Sequence, residues 1–156
     1  MMIMHTHIPK CAGASVLSIM RQQYPGQLLA VPARGWEDVT PEQARAQQAI
    51  SGHVPHGVAE TVWGLEDVWY FTFLREPLAR IASIYGYIKR RGAGHAAFRY
   101  VSGMTPQQFA EEGPFDNGQV RMLAGRRDFQ WFQDLGPLTR DDLILARRHL
   151  ETYSFV

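Results

Sequence analysis

Seven consecutive residues, Val68-Trp69-Tyr70-Phe71-Thr72-Phe73-Leu74, all favour the extended chain. The run carries no alternation of apolar and charged positions. A parallel strand with helices over both faces has that character, so the run constrains the fold toward layered α/β architecture. Pro77 follows and opens a predicted helix with Leu78, Ile81, Ile84, Tyr85 and Ile88 on one side, closing near Gly92 and Gly94.

The same order opens the chain. Met1 to Ile8 is a short apolar segment that runs into Pro9, Lys10, Cys11, Ala12, Gly13, Ala14 and Ser15. Val16, Leu17, Met20 and Tyr24 then recur at helical spacing until Pro25 and Gly26 stop them. Leu28 to Val31 and Ala49 to Val54 read as further strands. Thr40 before Pro41 is a helix start with Thr40 as cap. Helices are predicted at Pro106 to Glu111, Asn117 to Leu123 and Arg140 to Leu150, the last capped by Thr139 with Asp141 and Asp142 against the dipole. Tyr153 to Val156 reads as the start of another strand. The expectation is one α/β domain over residues 1–156, a central, mainly parallel sheet flanked by helices.

Sixteen Lys and Arg against fifteen Asp and Glu leave a net charge of +1, which argues against a bulk polyanion binder. The single cysteine, Cys11, excludes an intrachain disulfide and a thiolate zinc cluster. No apolar run reaches the roughly 18–20 residues of a membrane span, and the first ten residues lack the pattern of a secretion signal. The chain is therefore expected to be soluble and cytoplasmic.

A strand, a small-residue loop and a helix N-terminus together make a general phosphate-holding device, because the first helical amides are unpaired and point outward. Lys10 adds a mobile charge and Ser15 a hydroxyl, while Ala12, Gly13 and Ala14 keep the backbone accessible. In the nucleoside-triphosphatase loop the lysine comes after the glycines; here Lys10 comes first. The bland alternative is an ordinary turn with an exposed lysine. Cys11 reads as a small loop residue rather than a nucleophile.

Arg75 lies just past the aromatic strand, at the sheet edge where open α/β folds bind ligands. Ser83 follows eight residues later, two turns into the helix. Both could reach one phosphate, the arginine by a forked contact. The alternative pairs Arg75 with Glu76 or Asp67 and leaves Ser83 neutral.

Taken together, Pro9-Lys10-Cys11-Ala12-Gly13-Ala14-Ser15 resembles the 5′-phosphosulfate loop of sulfotransferases, and Arg75 with Ser83 resembles their 3′-phosphate motif. His7-Ile8-Pro9-Lys10, Leu74-Arg75-Glu76-Pro77 and Asp116-Asn117-Gly118-Gln119-Val120-Arg121 are similar to the branch of uronyl and heparan sulfate 2-O-sulfotransferases and its small bacterial relatives. The resemblance runs in order from about residue 5 to 156. It implies a P-loop-like phosphosulfate-binding loop and a sulfuryl donor, 3′-phosphoadenosine 5′-phosphosulfate, with no metal. Lys10 would contact the bridging oxygen and 5′-phosphate, the amides of Ala12 to Ser15 would cradle that phosphate, and Arg75 and Ser83 would hold the 3′-phosphate. Ser51-Gly52-His53-Val54 looks like the family's Gly-His segment, which makes His53 the candidate base. In the heparan sulfate enzymes a second histidine precedes that glycine; here the position is Ser51, with His56 the nearest substitute.

Asn117 and Arg121, four apart on one helix face, would line the acceptor side or buttress the donor loops. Lys89-Arg90-Arg91 and Arg126-Arg127 would attract an acidic acceptor or form a solvated face. The implied acceptor is a hydroxyl of a glycan or other small metabolite, with no nucleic acid partner. Relatives usually continue past the strand near Tyr153, so the chain reads as a fragment, a minimal member, or one completed by another chain, a homo-oligomer among the options. The competing readings are a P-loop-type nucleotide kinase and a truncated, non-catalytic nucleotide-binding domain.

Overall fold

A computed structural model describes residues 1–32, 35–112, 117–127 and 136–154. Asp116 and the last two residues of the expected Tyr153–Val156 strand lie outside them.

The described elements are β1 (Met2–Thr6), α1 (Gly13–Gln23), β2 (Leu28–Ala30), α2 (Pro41–Arg45), β3 (Ala49–Gly52), α3 (Val58–Thr61), β4 (Val68–Thr72), α4 (Pro77–Arg91), a 3-10 turn (Gly92–Gly94), α5 (Phe98–Val101), α6 (Pro106–Glu112), α7 (Gly118–Leu123) and α8 (Arg140–Glu151). The local signals hold where they were strongest. Thr40 and Thr139 both cap their helices and close capping boxes with Gln43 and Asp142. The short α3, the 3-10 turn and α5 have no counterpart in the sequence reading.

The four strands form one sheet in the order β2-β3-β1-β4, every pair parallel. Alternate residues face opposite sides. Met4, Ile50 and Tyr70 join the core with Val58 of α3, Trp63 just beyond it, Met122 of α7 and Ala146 of α8. Ile3, Ala49 and Phe71 meet Val16 and Met20 of α1 on the other face. A separate cluster, Ile84, Ile88, Ala97, Val101 and Phe109, binds α4 to α5 and α6.

The aromatic strand departs from expectation in position. Its apolar run predicts a strand covered by helices on both faces. Instead β3 crosses over β1 to reach β4, which leaves β4 at the edge with β1 as its only strand partner among the described residues. Trp69 stays 40% exposed, because among the described residues α1 is the only helix packed on that face. Past the edge, the Ser154 amide donates to the Tyr70 carbonyl at 3.0 Å.

Register sets up the functional edge. Thr6 lies beside Gly52 on one side and Thr72 on the other, so β1, β3 and β4 end together. The chain leaves β1 toward β2 and reaches β4 from the opposite direction, and such a reversal opens a crevice at the carboxyl ends of the strands. Among the described residues no helix is long and apolar enough to cross a membrane.

Candidate functional site

The turn from β1 into α1 is held by features the sequence did not announce. Lys10 and Ala12 both adopt left-handed backbone, at φ 67° and 61°, each a cost of about 1–2 kcal/mol for a residue with a side chain. Buried Arg80 of α4 donates from Nε to the Pro9 carbonyl at 3.0 Å and stands against Cys11. Gly13 is required for a different reason: a Cβ there would overlap the His7 ring. The Ser15 amide is already committed to the Ala12 carbonyl at 3.0 Å. The cradle expected from Ala12 to Ser15 thus narrows to the amides of Ala12, Gly13 and Ala14, with the Ser15 hydroxyl beside them. Burial pushes the Cys11 thiol up, and the opposing Arg80 and Arg75 cations do not outweigh it. That suits a packed loop residue better than a thiolate nucleophile.

The second wall is α4 and the turn before it. Glu76 caps the helix, accepting from the amides of Leu78 at 3.0 Å and Ala79 at 2.6 Å, with Pro77 in the first turn. Asp67 pairs with the N-terminal ammonium at 3.1 Å. Both acidic neighbours that the sequence offered to Arg75 are therefore engaged elsewhere. Gln119 of α7 fixes the Arg75 backbone from both sides: its Oε1 accepts from the Arg75 amide at 2.9 Å and its Nε2 donates to the Arg75 carbonyl at 3.0 Å. The same Oε1 takes the Cys11 thiol at 3.6 Å, so one side chain spans both loops.

The two walls face one cavity of about 610 Å³, lined among others by Lys10, Ala12 to Ser15, Arg75, Ser83 and His53. That volume is within the usual range for a small-molecule site, about 300–1,000 Å³. Arg75 Nη1 lies 3.5 Å from the Lys10 carbonyl oxygen. Burial lowers the Lys10 ammonium pKa, and the Arg90 and Arg75 cations lower it further. Like charges gathered at one mouth favour an anionic ligand.

Three imidazoles lead from the core to this cavity. His5 is buried, its Nδ1 2.8 Å from Ser51 Oγ, and desolvation with His7 beside it lowers its pKa to about 3, so it is neutral. It stacks on His7, centroids 5.6 Å apart, and His7 meets His53 edge-on at 4.5 Å. His7 and His53 both line the cavity. Burial, then Lys10, lowers the His7 pKa as well. Ser51 holds the His5 imidazole, and the histidine that stands beside His53 is His7 of the neighbouring strand end.

The other predicted residues are placed elsewhere. His56 stacks on His149 at 3.9 Å and against Tyr70 at 4.6 Å, under α8 rather than in the cavity lining. Asn117 is the exposed, left-handed cap of α7. Arg121 is buried and donates to the Gly136 carbonyl at 2.9 Å, tying α7 to the approach of α8. Of the segment 116–121, Gln119 is the residue that reaches both the β1–α1 turn and the Arg75 backbone. Arg126 pairs with Asp142 at 3.2 Å, Arg127 donates to Thr61 at 2.8 Å and Lys89 to the Ser102 carbonyl at 2.8 Å, while Arg90 acts on Lys10 and Arg91 on His95.

Sequence reasoning missed Arg80, His7, Tyr87 and His95. For Arg80 a signal existed: it falls at the same helical spacing as Ile84 and Ile88, on the buried side of α4. Among the described residues no three or more His, Cys, Asp or Glu are grouped to hold a metal ion. Compared with known proteins, the chain matches no family model, no curated protein and no solved structure.

Proposed function

We propose that the chain binds 3′-phosphoadenosine 5′-phosphosulfate and transfers its sulfuryl group to an acceptor hydroxyl. One observation carries the reading: Lys10 with the Ala12–Ala14 amides, and Arg75 with Ser83, line a single cavity rather than opposite sides of the sheet. A nucleotide with phosphates at both its 5′ and 3′ ends matches two anion-holding walls facing each other.

In this reading the acceptor oxygen bonds to sulfur while the bond from sulfur to the 5′-phosphate oxygen breaks. The leaving oxygen keeps the electron pair and remains on adenosine 3′,5′-bisphosphate. Lys10 and the loop amides stabilise the charge that develops there. The acceptor proton passes to His53, which is half-buried in the lining with His7 beside it. Positioning and charge stabilisation supply the catalysis, so a fixed loop backbone matters more than a reactive side chain.

The test is a donor-consumption assay over a panel of hydroxylated acceptors, paired with calorimetric titration of adenosine 3′,5′-bisphosphate and of ATP with Mg²⁺. The proposal expects bisphosphate binding, donor turnover and loss of turnover in His53→Ala. Preference for ATP with Mg²⁺ would favour a kinase instead.

A further inference from the structure

We propose that the half of the cavity formed by Tyr87 and His95 is the acceptor subsite, shaped for a flat and largely apolar alcohol such as a phenol. The assignment of this half to the acceptor rests on the sulfotransferase reading, which makes Lys10 the marker of the sulfuryl end.

The donor walls use the loop, Arg75 and Ser83, and that leaves Ile84, Tyr87, Ile88, Gly94, His95 and Ala96 of the lining without a role. Tyr87 stands one turn beyond Ser83 on α4, on the same face. Its ring lies under the Lys10 ammonium, 4.4 Å from centroid to Nζ. A ring in contact with the group that handles the bridging oxygen flanks the incoming hydroxyl, whereas the adenine would extend from the phosphates away from that group. The Tyr87 ring meets the His95 ring edge-on, centroids 5.5 Å apart at 89°, so the two form a corner. Gly94 and Ala96 project little beyond the backbone beside His95, which keeps room for a planar ligand. Behind them Ile84 and Ile88 belong to the α4–α6 cluster, a packed support separate from the sheet.

The polarity of this corner selects the ligand. Among the described lining residues of this half, hydrogen-bonding side chains are limited to the Tyr87 hydroxyl and the His95 imidazole. His95 Nδ1 already accepts the Ala97 amide at 3.1 Å, which places the proton of the neutral ring on Nε2. A sugar brings several hydroxyls, and this half offers two polar side chains to bind them. A phenol brings one hydroxyl, the one that reacts, and a face that stacks on tyrosine.

Two calorimetric titrations test this without requiring turnover: naphthol and adenosine 3′,5′-bisphosphate, each against the wild-type chain, Tyr87→Ala and Tyr87→Phe. The inference expects naphthol to bind the wild type, to weaken about tenfold in Tyr87→Ala and to recover in Tyr87→Phe, which keeps the ring. Bisphosphate affinity should be unchanged in both variants. Methyl glucoside, which has no aromatic face, should bind about tenfold more weakly than naphthol. Naphthol binding equally to Tyr87→Ala, or methyl glucoside binding better than naphthol, overturns the subsite. Bisphosphate weakening together with naphthol in Tyr87→Ala assigns the ring to the adenine and overturns it too. Failure of the wild type to bind bisphosphate while naphthol still depends on Tyr87 removes the sulfotransferase reading and the name acceptor, and leaves an aromatic slot.

Discussion

The two walls of the cavity are built on opposite principles. The turn from β1 to α1 offers mainly backbone, set in shape by left-handed Lys10 and Ala12 and pinned from behind by Arg80 and His7. The wall at β4 and α4 offers side chains, Arg75 and Ser83, on a conventionally capped helix. Strain is thus concentrated at the first wall, and the surroundings must over-determine it. The second wall needs only one clamp, Gln119 on the Arg75 backbone, while the guanidinium itself stays exposed. On the proposed function the contrast is sensible. Amides facing the leaving oxygen must be fixed before reaction, whereas the distant phosphate identifies the nucleotide and can be gripped by a mobile fork.

Breaking each wall separately should give unlike defects. Lys10→Ala should cost the most, about 100- to 1,000-fold in kcat, with a smaller change in bisphosphate affinity; a pure affinity loss with normal kcat would remove Lys10 from the leaving-group end. Arg75→Ala should weaken adenosine 3′,5′-bisphosphate by about 10- to 100-fold and leave adenosine 5′-monophosphate unchanged. Equal weakening of both nucleotides in a titration would mean that Arg75 does not read the 3′-phosphate.

Acid should sharpen the contrast, because His5 and His7 both stand at the first wall. His5 is lowered from 6.5 to about 3 and His7 is lowered, both chiefly by burial. The unfolded chain takes up protons below pH 6.5 that the folded chain refuses, so stability is full above that pH and falls as pH drops from 6.5 toward 3. The slope is about 1.4 kcal/mol per pH unit for His5 over that window, and His7 acts in the same direction. Urea midpoints measured from pH 7 to 4.5 should fall, and His5→Gln should flatten the decline; an unchanged slope would show that His5 is not the cause. Gln119→Leu should have the smallest effect, about 1 kcal/mol or a few-fold weaker bisphosphate binding, since it loosens the joint without touching a phosphate.

The layered class could be read from the chain because its signals are local. The apolar run of β4, the caps at Thr40 and Thr139 and the helix after Pro77 each depend on neighbouring residues, and each is where the sequence places it. The edge position of β4 could not be read, since it follows from a crossover past β1 that no local pattern encodes. The same division runs through the site. Lys10, Arg75 and Ser83 follow from the residues around two strand ends and His53 from the resemblance, and the four line one cavity. His7 beside His53, Arg80 under Pro9 and Gln119 on Arg75 are contacts between elements distant in sequence, visible only once the strands register. His56 and Arg121 lie outside the cavity lining, since folding turns one toward α8 and buries the other against Gly136.

The most direct test is a calorimetric titration of the wild-type chain with adenosine 3′,5′-bisphosphate and adenosine 5′-monophosphate under the same conditions. Two facing anion walls predict that removing the 3′-phosphate costs about 10- to 100-fold in affinity, matching the loss in Arg75→Ala. Equal affinity for the two nucleotides would contradict the claim that one cavity grips both ends of a single ligand.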